Sequence, residues 1–375
     1  MRTTLKDVAE RANVSIKTAS NVVNNQTQRV GPETRRRVLE AIEALGYRPN
    51  LAARQLRNSR VGIIALALPD LQNPYFAGLA RAIVEAGAAA DYLVLVDHTN
   101  GDRDKETMVV RGLRPGIIDG IIFDPTTLDE DDLHGLSMNL PVVLLGERLL
   151  TSPFDHVLID NAAAAFAATT HLIEIGRRRI AIVGVPNEPS LAMPQLRLQG
   201  YGDALTAAGR GIDPDLIVPP VMKTFAPIDG ALTLRRLMAM PDPPDAVFCV
   251  NDQMAIGAIR AAWELGVRVP EDIAILGIDG ITDGEFSTPS LTTIAPDKQA
   301  IAALSVRLLI ERIEGRSTEE PRVHQIPFRL IVRESTAGRH DRKQTTGDES
   351  DGAPGTDERR DGPGQRPSRS AVDRD

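Results

Sequence analysis

Residues 4–24, TLKDVAERANVSIKTASNVVN, have the pattern of two short helices joined by a tight turn at Asn13-Val14. Apolar residues recur with helical spacing on both sides of that turn. Thr4 and Asp7 have the spacing of a capping box, with Asp in place of the usual Glu. Ser15 stands where it can cap the second helix. Two helices joined so closely predict a helix-turn-helix whose second helix projects outward.

A third helix is predicted to close a small core against the first two. Pro32-Glu33 opens it, because proline is favoured at the first helical position, and Gly46 ends it after Leu45. Beyond Pro49-Asn50, the segment LAARQLR at 51–57 has helical character but is too short and polar to be stable alone.

The charge of the first 60 residues differs from that of the remaining chain. They hold 12 Lys and Arg against 5 Asp and Glu, a net charge of +7, whereas the whole chain of 375 residues carries −8. A short basic module on a large acidic body indicates that the module contacts a polyanion and that the body has another task.

The second helix carries side chains suited to DNA. Lys17 can donate to guanine O6 and N7, Asn21 can bridge adenine N6 and N7, and Ile16 can pack against a thymine methyl group. Phosphates suit short polar residues, which here are Thr18, Ser20 and Asn24. The alternative is an ordinary helical hairpin with a solvated polar face, but the basic balance and the tight turn favour DNA.

From Val61 onward, apolar strands alternate with amphipathic helices. The run 61–68 is typical of a buried strand, a helix follows to about residue 90, and the alternation continues to a strand at 273–277. Such a pattern predicts parallel sheets covered on both faces. The units are too many for one ordinary sheet, so two α/β subdomains with a cleft between them are predicted.

Composition and motifs disfavour several other classes of protein. No apolar run approaches the roughly 18 residues of a membrane span, and the N-terminus has no apolar signal-peptide core. The lone cysteine, Cys249, lies in an apolar run and fits a buried strand residue in a reducing cytoplasm. The sequence shows no P-loop, no Gly-rich dinucleotide turn, no G-x-S-x-G and no metal-spaced His/Cys cluster. A cytoplasmic protein that is not an enzyme, with no catalytic residue, cofactor or metal, is therefore expected.

The first 60 residues strongly resemble the headpiece of the LacI/GalR family of bacterial transcription regulators. The matching positions include Thr4–Ala9, Val14-Ser15, Thr18, Ser20, Val23-Asn24, Glu33–Arg35, Leu45–Tyr47 and Pro49-Asn50. The similarity continues to about residue 337, through Asn73–Phe76, Asp119–Ile122, Ile159–Asn161, Asn251-Asp252, Gly277–Asp279 and Pro289–Ile294. The implied fold is an all-α helix-turn-helix headpiece followed by an α/β periplasmic-binding-protein-like body of two parallel-sheet subdomains.

The chain is thereby divided into three parts. Residues 1–60 are expected to form the DNA-binding headpiece with a hinge helix at 50–57, and residues 61–337 the effector-binding, dimerising body. The tail, 338–375, is rich in Gly, Pro, Ser and charged residues, and Val372 is its only large aliphatic residue. It is predicted to be disordered, because it cannot bury enough apolar surface to fold.

In this family the hinge folds only when two headpieces sit on an operator. The resemblance implies that Ala53 faces the minor groove and that Leu56 is wedged into the central base step, where it kinks the DNA. Besides the second-helix residues above, the DNA-contacting set then includes Ser15, Asn50, Ala53, Arg54 and Leu56. The implied partners are a near-palindromic double-stranded operator and a second copy of the chain, because two half-sites need two-fold symmetry. Several family members carry Arg or His in place of Asn21, which leaves the operator sequence open.

For the body, the resemblance implies a small-molecule site. Asp279 matches the cleft carboxylate that accepts paired hydrogen bonds from ligand hydroxyls, and Arg197 matches the arginine that donates to ligand oxygens. Aromatic faces and further polar groups are expected from Tyr75, Phe76, Phe225, Asn251, Asp160 and His98.

Several of these residues have a structural alternative. Tyr75 and Phe76 are equally suited to packing at a helix N-terminus, Asp279 precedes a glycine as turn residues do, and His98 fits a solvated loop. The resemblance nevertheless predicts a repressor whose operator affinity is controlled by a small molecule, a sugar, bound between two subdomains. The alternative is a soluble sugar-binding protein without regulatory DNA binding.

Overall fold

The computed structural model describes residues 3–23, 30–47, 60–111, 117–133, 140–187, 192–222, 224–317 and 319–337. The hinge segment 50–57 and the tail 338–375 lie outside these ranges, and so do five of the residues expected to contact DNA: Asn24, Asn50, Ala53, Arg54 and Leu56. The statements about them remain predictions.

Three helices form the headpiece: α1 (Leu5–Arg11), α2 (Ile16–Val23) and α3 (Pro32–Leu45). The predicted capping box of α1 is confirmed, because the Thr4 N–H donates to the Asp7 carboxylate over 2.7 Å and the Asp7 N–H donates to the Thr4 hydroxyl over 3.4 Å. The Ser15 hydroxyl accepts the N–H of Thr18 over 3.0 Å and so caps α2. At the end of α3, Gly46 adopts a φ of 55°, where a side chain would be strained.

The headpiece core is small and closely packed. Val8, Ala19 and Val38, one from each helix, are completely buried, and Val22 and Ala41 are nearly so. Short side chains at the contacts let the helices approach one another closely, which keeps α2 against the other two. The polar residues of α2 are left on its outer side.

Two six-stranded sheets form the body in the described part of the chain. The first sheet has the order β11-β5-β4-β3-β1-β2 and is parallel throughout. Its strands are β1 (Ile63–Leu68), β2 (Leu93–His98), β3 (Gly120–Phe123), β4 (Val142–Leu145), β5 (Asp155–Ile159) and β11 (Val323–Ile326).

The second sheet has the order β12-β10-β9-β8-β6-β7 and is parallel except for β12, which pairs antiparallel with β10. Its strands are β6 (Ile180–Val183), β7 (Ile217–Val218), β8 (Ala246–Cys249), β9 (Ala274–Ile278), β10 (Thr292–Pro296) and β12 (Phe328–Ile331). The central strands of both sheets are buried and apolar, as expected when helices cover both faces.

The helices of the body are α4 (Pro74–Ala89), α5 (Arg103–Val110), α6 (Glu130–Leu133), α7 (Asn161–Glu174), α8 (Ala192–Ala207), α9 (Pro227–Met238), α10 (Asp252–Leu265), α11 (Thr282–Phe286), α12 (Lys298–Ile313) and α13 (Glu334–Ala337). Helices α7 and α8 pack on each other, as do α9 and α10. The predicted two-subdomain α/β body is confirmed.

Glycines allow the two helices of each pair to pack closely. A Cβ at Gly200 on α8 would lie 2.0 Å from the carbonyl oxygen of Ala162 on α7. A Cβ at Gly257 on α10 would lie 1.7 Å from the carbonyl oxygen of Pro227, the first residue of α9. Only a residue without a side chain allows the backbones to approach to this distance.

The polypeptide passes between the two sheets three times. It leaves the first sheet after β5, returns after β10 to place α12 against α4 and β3, and crosses once more between β11 and β12. Each subdomain is therefore built from separate stretches of sequence.

Two expectations from composition can be compared with the structure. Cys249 is completely buried on β8, as predicted. Among the described residues, no helix combines the length and the apolar character needed to cross a bilayer.

Candidate functional site

A cavity of about 320 Å³ lies between the two subdomains. Its walls come from residues that follow β1, β3, β4 and β5 in the first sheet and β8, β9 and β10 in the second, together with the start of α8. The carboxyl ends of parallel strands are where α/β proteins place their ligand sites. The volume is at the small end of the usual range for ligand pockets, about 300–1,000 Å³.

Most of the residues expected to bind the effector line this cavity: Tyr75, Phe76, Arg197, Phe225, Asn251 and Asp279. The structure does not bring His98 and Asp160 to it. Asp160 is the N-cap of α7, where its carboxylate accepts the N–H of Ala163 over 2.8 Å. His98 ends the edge strand β2 and is half-buried there. Asp160 is therefore used as a helix cap, and His98 is kept from the cavity by its position on an edge strand.

Arg197 is buried and held in one orientation. Its Nε donates to Asn161 Oδ1 over 2.7 Å, and its Nη1 donates to the carbonyl of Val250. The Asn161 amide in turn donates to the carboxylate of Glu147. Burial lowers the pKa of Arg197, whereas the nearby carboxylates of Asp279 and Glu147 raise it. A guanidinium fixed in this way presents its remaining donor capacity to the cavity at little further cost in side-chain entropy.

Asp279 is both a turn residue and a residue of the cavity wall. It follows β9 with a φ of 141°, and Gly280 continues the turn with a φ of 59°. Burial, and then repulsion from Asp252, raise the pKa of Asp279 to about 7, although Arg197 and Lys298 act in the opposite direction. Near neutral pH this carboxyl group can therefore accept or donate a hydrogen bond.

Lys298 connects Asp279 to the opposite subdomain. From the start of α12, its ammonium group donates to the backbone carbonyls of Asp279 and Gly280 and lies 5.1 Å from the ring centroid of Tyr75. A cation over an aromatic face is attracted to it. The ammonium group therefore joins the turn after β9 to the first turn of α4.

Tyr75 and Phe76 pack at a helix N-terminus and also line the cavity. Asn73 caps α4, and the two rings stand edge to face with centroids 5.3 Å apart and an interplanar angle of 73°. Across the cavity, the Asn251 amide donates to the carbonyl of Phe225 over 2.9 Å, while its oxygen accepts the N–H of Met254 and caps α10. The aromatic walls are therefore supported by helix caps on both sides.

Three carboxylates of the cavity wall were not singled out from the sequence, and one of them is Asp70, which follows β1. Asp124 follows β3 and Glu147 follows β4, each within two residues of the end of an apolar strand. That position was the available signal, because the first polar residues after parallel strands converge at one edge of the sheet. Burial, and then repulsion from Glu147 and Glu106, raise the pKa of Asp124 well above its ordinary value.

The outer side of α2 has the composition of a DNA-reading surface. Ile16 is 49% exposed, and Lys17 is exposed beside it. Asn21 is half-buried and lies one helical turn beyond Lys17 on the same face. Ser15 is exposed, and the half-buried residues Thr18 and Ser20 complete the described part of the expected contact set. The Thr18 hydroxyl is 2.8 Å from that of Ser15, so the two side chains support each other at the helix N-terminus.

Comparison with known proteins agrees with both parts of the structure. Residues 4–50 match the model of bacterial regulatory proteins of the lacI family, and residues 169–336 match the model of a periplasmic binding protein-like domain. The ribose operon repressor of Halalkalibacterium halodurans is 34% identical over 337 residues, which cover 90% of this chain and 98% of that repressor. The chain belongs to the lacI family of bacterial regulatory proteins.

Solved structures of family members are similar over most of the chain. A putative transcriptional regulator of the LacI family from Sanguibacter keddieii is 41% identical, with a TM-score of 0.68 over 74% of this chain and 99% of that one. The lac repressor dimer bound to operator and the anti-inducer ONPF is 28% identical, with a TM-score of 0.75 over 90% of this chain and 99% of that one. This lacI-family member is accordingly a DNA-binding transcription regulator with a periplasmic-binding-protein-like body.

Proposed function

We propose that this regulator is a dimeric repressor whose affinity for a near-palindromic operator is controlled by a sugar bound in the cavity between the subdomains. The observation that carries the proposal is the pairing of a fixed guanidinium, Arg197, with the carboxyl group of Asp279 in one cavity with aromatic walls. The ribose operon repressor among its relatives supports the same class of ligand.

The chemistry of the cavity suits a polyhydroxylated ring. Neighbouring hydroxyls can bond in pairs to a carboxylate or to a guanidinium, because each of these groups has two parallel hydrogen-bonding positions. The rings of Tyr75 and Phe225 offer apolar faces to the C–H surface of such a ring. A ligand that contacts Tyr75 and Asp279 together contacts both subdomains.

Effector and operator would be linked through subdomain closure. A ligand that binds one arrangement of the subdomains better than another shifts the population toward it. In a dimer, we expect that shift to change the separation of the two segments 50–57 and therefore the affinity of the protein for the operator. Linkage is reciprocal, so the operator changes the affinity of the protein for the effector by the same factor.

The surface of the first subdomain supports dimerisation. Leu93 and Leu95 on the edge strand β2 are 59% and 43% exposed, and Val96 and the neighbouring Val84 of α4 are exposed as well. Aliphatic side chains grouped on a sheet edge are typical of a surface that another protein covers. A second copy of the chain is the occupant that a two-fold symmetric operator requires.

DNA binding is tested by fluorescence anisotropy on duplexes from the region upstream of this gene and its neighbours, at one fixed salt concentration. A single near-palindromic duplex should bind far better than random DNA. Lys17→Ala should weaken that site by about 1–3 kcal/mol, whereas Lys105→Ala, an exposed control on α5, should have no effect. If no duplex is preferred while sugars still bind, the protein is a sugar-binding protein without regulatory DNA binding.

Effector control is tested on the same complex. A sugar that raises the thermal stability of the full chain should change its operator affinity, and Asp279→Ala should abolish this response while operator binding remains. A response that persists in Asp279→Ala would remove Asp279 from the effector site.

A further inference from the structure

The side of the cavity formed by the first subdomain is acidic. Asp70, Asp124 and Glu147 line it after β1, β3 and β4, and Asp279 faces it from the second subdomain. The cations among the lining residues are Arg148 and Arg197. A neutral polyol needs no such excess of carboxylates, so the distribution of charge carries information about the ligand.

The described hydrogen bonds of the nearby cations go to backbone carbonyls or to a side-chain amide. Arg148 donates to the carbonyls of Leu128 and Thr127. Arg197 donates to the Asn161 amide and to a backbone carbonyl, as described above. Lys298 donates to carbonyls of the turn after β9. These cations therefore hold loops in place, and none of their described hydrogen bonds reaches the carboxylate of Asp124.

A further carboxylate, behind the wall, adds to the negative potential. Glu106 on α5 is completely buried, and its carboxylate accepts the N–H and hydroxyl groups of Thr126 and Thr127 over 2.7–2.9 Å and the N–H of Leu128 over 3.1 Å. Burial raises the pKa of Glu106, but these hydrogen bonds outweigh it and leave the pKa below its ordinary value. Glu106 is therefore a fixed anion at the loop that continues from Asp124.

Asp124 itself is aimed toward the loop that holds Glu147. A Cβ at Gly146, where φ is 75°, would lie 3.3 Å from Asp124 Oδ1. Glu147 is the next residue, and its described partner is the amide of Asn161. Two carboxylates thus face one wall of the cavity, with a third anion behind them and no described donor on Asp124.

We propose that the effector presents a protonated amine to Asp124 and Glu147 while its hydroxyls bind Arg197 and Asp279. The class of ligand is an amino sugar, or an amine-bearing polyol of similar size. This inference rests on the proposed sugar-controlled function and narrows it. An ammonium group supplies three donors and the positive charge that a buried carboxylate requires, whereas a hydroxyl in its place leaves Asp124 without a described counter-charge and Glu147 with Arg197 alone. An anionic sugar would be repelled by the same groups.

The test measures binding to the full chain by isothermal titration calorimetry at pH 6.5. The probes are D-glucosamine, D-galactosamine and D-mannosamine, each compared with its parent hexose and its N-acetyl derivative, which lack the positive charge. At least one amine should bind about tenfold or more tightly than both neutral counterparts. Asp124→Asn should reduce this preference to less than about threefold, since it removes the charge and keeps the shape.

Proton linkage gives a second readout. An ammonium group favours the ionised form of Asp124, whose neighbours Glu147 and Glu106 otherwise oppose ionisation. Titrations of the amine in two buffers of different ionisation enthalpy should show proton release with the wild type and less release with Asp124→Asn. Glu147→Gln should show the same loss of preference, and Asp104→Asn, an exposed control on α5, should show none. A cooperative thermal unfolding transition close to that of the wild type verifies that each variant is folded.

The outcomes separate this inference from the function on which it rests. Neutral hexoses that bind as tightly as the amines would overturn the inference and leave a sugar-controlled repressor. Preference for the amine that persists unchanged in both Asp124→Asn and Glu147→Gln would also overturn it. If none of the amines and neutral sugars binds, the inference and the proposed sugar effector both fail.

Discussion

Replacement of Asp279 by Asn should stabilise the protein in the absence of an effector. Asp279 is buried, and burial together with the Asp252 carboxylate makes its ionisation unfavourable in the folded state. Asn has nearly the same shape and carries no charge, so the backbone at this position, with its φ of 141°, meets a side chain of the same size. The substitution therefore removes an electrostatic cost without creating a cavity.

The magnitude follows from proton linkage. In the folded protein the pKa of Asp279 is raised from 3.8 to about 7. Each pH unit corresponds to about 1.4 kcal/mol, so ionised Asp279 lowers the free energy of unfolding by up to about 4 kcal/mol. Asp252 also interacts with Lys298, and its own pKa is raised to about 6. Removal of the Asp279 charge therefore also changes the ionisation of Asp252, and we expect the free energy of unfolding to rise by about 2–4 kcal/mol.

The sign of the pH dependence is specific. A carboxyl group with a raised pKa in the folded state holds its proton more tightly there, so its contribution to stability is complete below about pH 4 and is lost as the pH rises to about 7. The difference between Asp279→Asn and wild type should thus be near zero at pH 4 and largest at pH 8. Urea denaturation at these two pH values measures it. A variant that is no more stable than wild type at pH 8, or a gain of equal size at pH 4, would refute the reasoning.

Three further predictions concern other parts of the molecule. Glu106→Gln should lower the free energy of unfolding at pH 7 by about 2–4 kcal/mol, because the hydrogen bonds that lower the pKa of Glu106 stabilise its ionised form. The loss should be smaller below pH 4, and chemical denaturation at both pH values measures it. Gly200→Ala should cost about 1–3 kcal/mol or more in the same assay, because its Cβ would meet the Ala162 carbonyl, whereas Gly211→Ala, with open space around it, should be neutral. Leu56→Ala should weaken operator binding far more than non-specific DNA binding in anisotropy titrations, because it removes the wedge and keeps the phosphate contacts; equal losses on both DNAs would contradict the assigned role.

The parts of the fold that depend on local signals could be predicted from the sequence. Capping by Thr4 and Ser15 and the glycine at 46 set the ends of the headpiece helices through contacts within a few residues. The alternation of apolar strands and amphipathic helices likewise predicted most of the two sheets. In these cases the residues that decide the structure are neighbours in the chain.

Several of the elements that were not predicted depend on contacts between distant residues. Strand β5 begins with Asp155 and His156, which are buried although they are polar. The carboxylate of Asp155 is satisfied by Arg312 over 3.0 Å and by the N–H of Arg322 over 3.0 Å. Strands β11 and β12 are half-exposed edge strands with no continuous apolar run. No local pattern distinguishes such segments from loops.

The candidate site was predictable only in part for the same reason. Arg197 and Asp279 were found by resemblance, and their distance from each other in sequence shows that periodicity alone could not have paired them. Asp124 and Glu147 were missed because a carboxylate after a strand is common, and only the assembled sheet shows that two of them share one wall. Asp160 was expected among the polar groups of the effector site, but its carboxylate caps α7.

The chain passes between the two subdomains three times, and this has a consequence for biosynthesis. Strand β11 completes the first sheet and β12 completes the second, and both lie within residues 323–331. During synthesis, neither subdomain can acquire its last strand until almost the entire body has left the ribosome. Premature termination or proteolysis before residue 323 would leave an open edge on both sheets at once, so a truncated product is expected to aggregate instead of retaining one intact half.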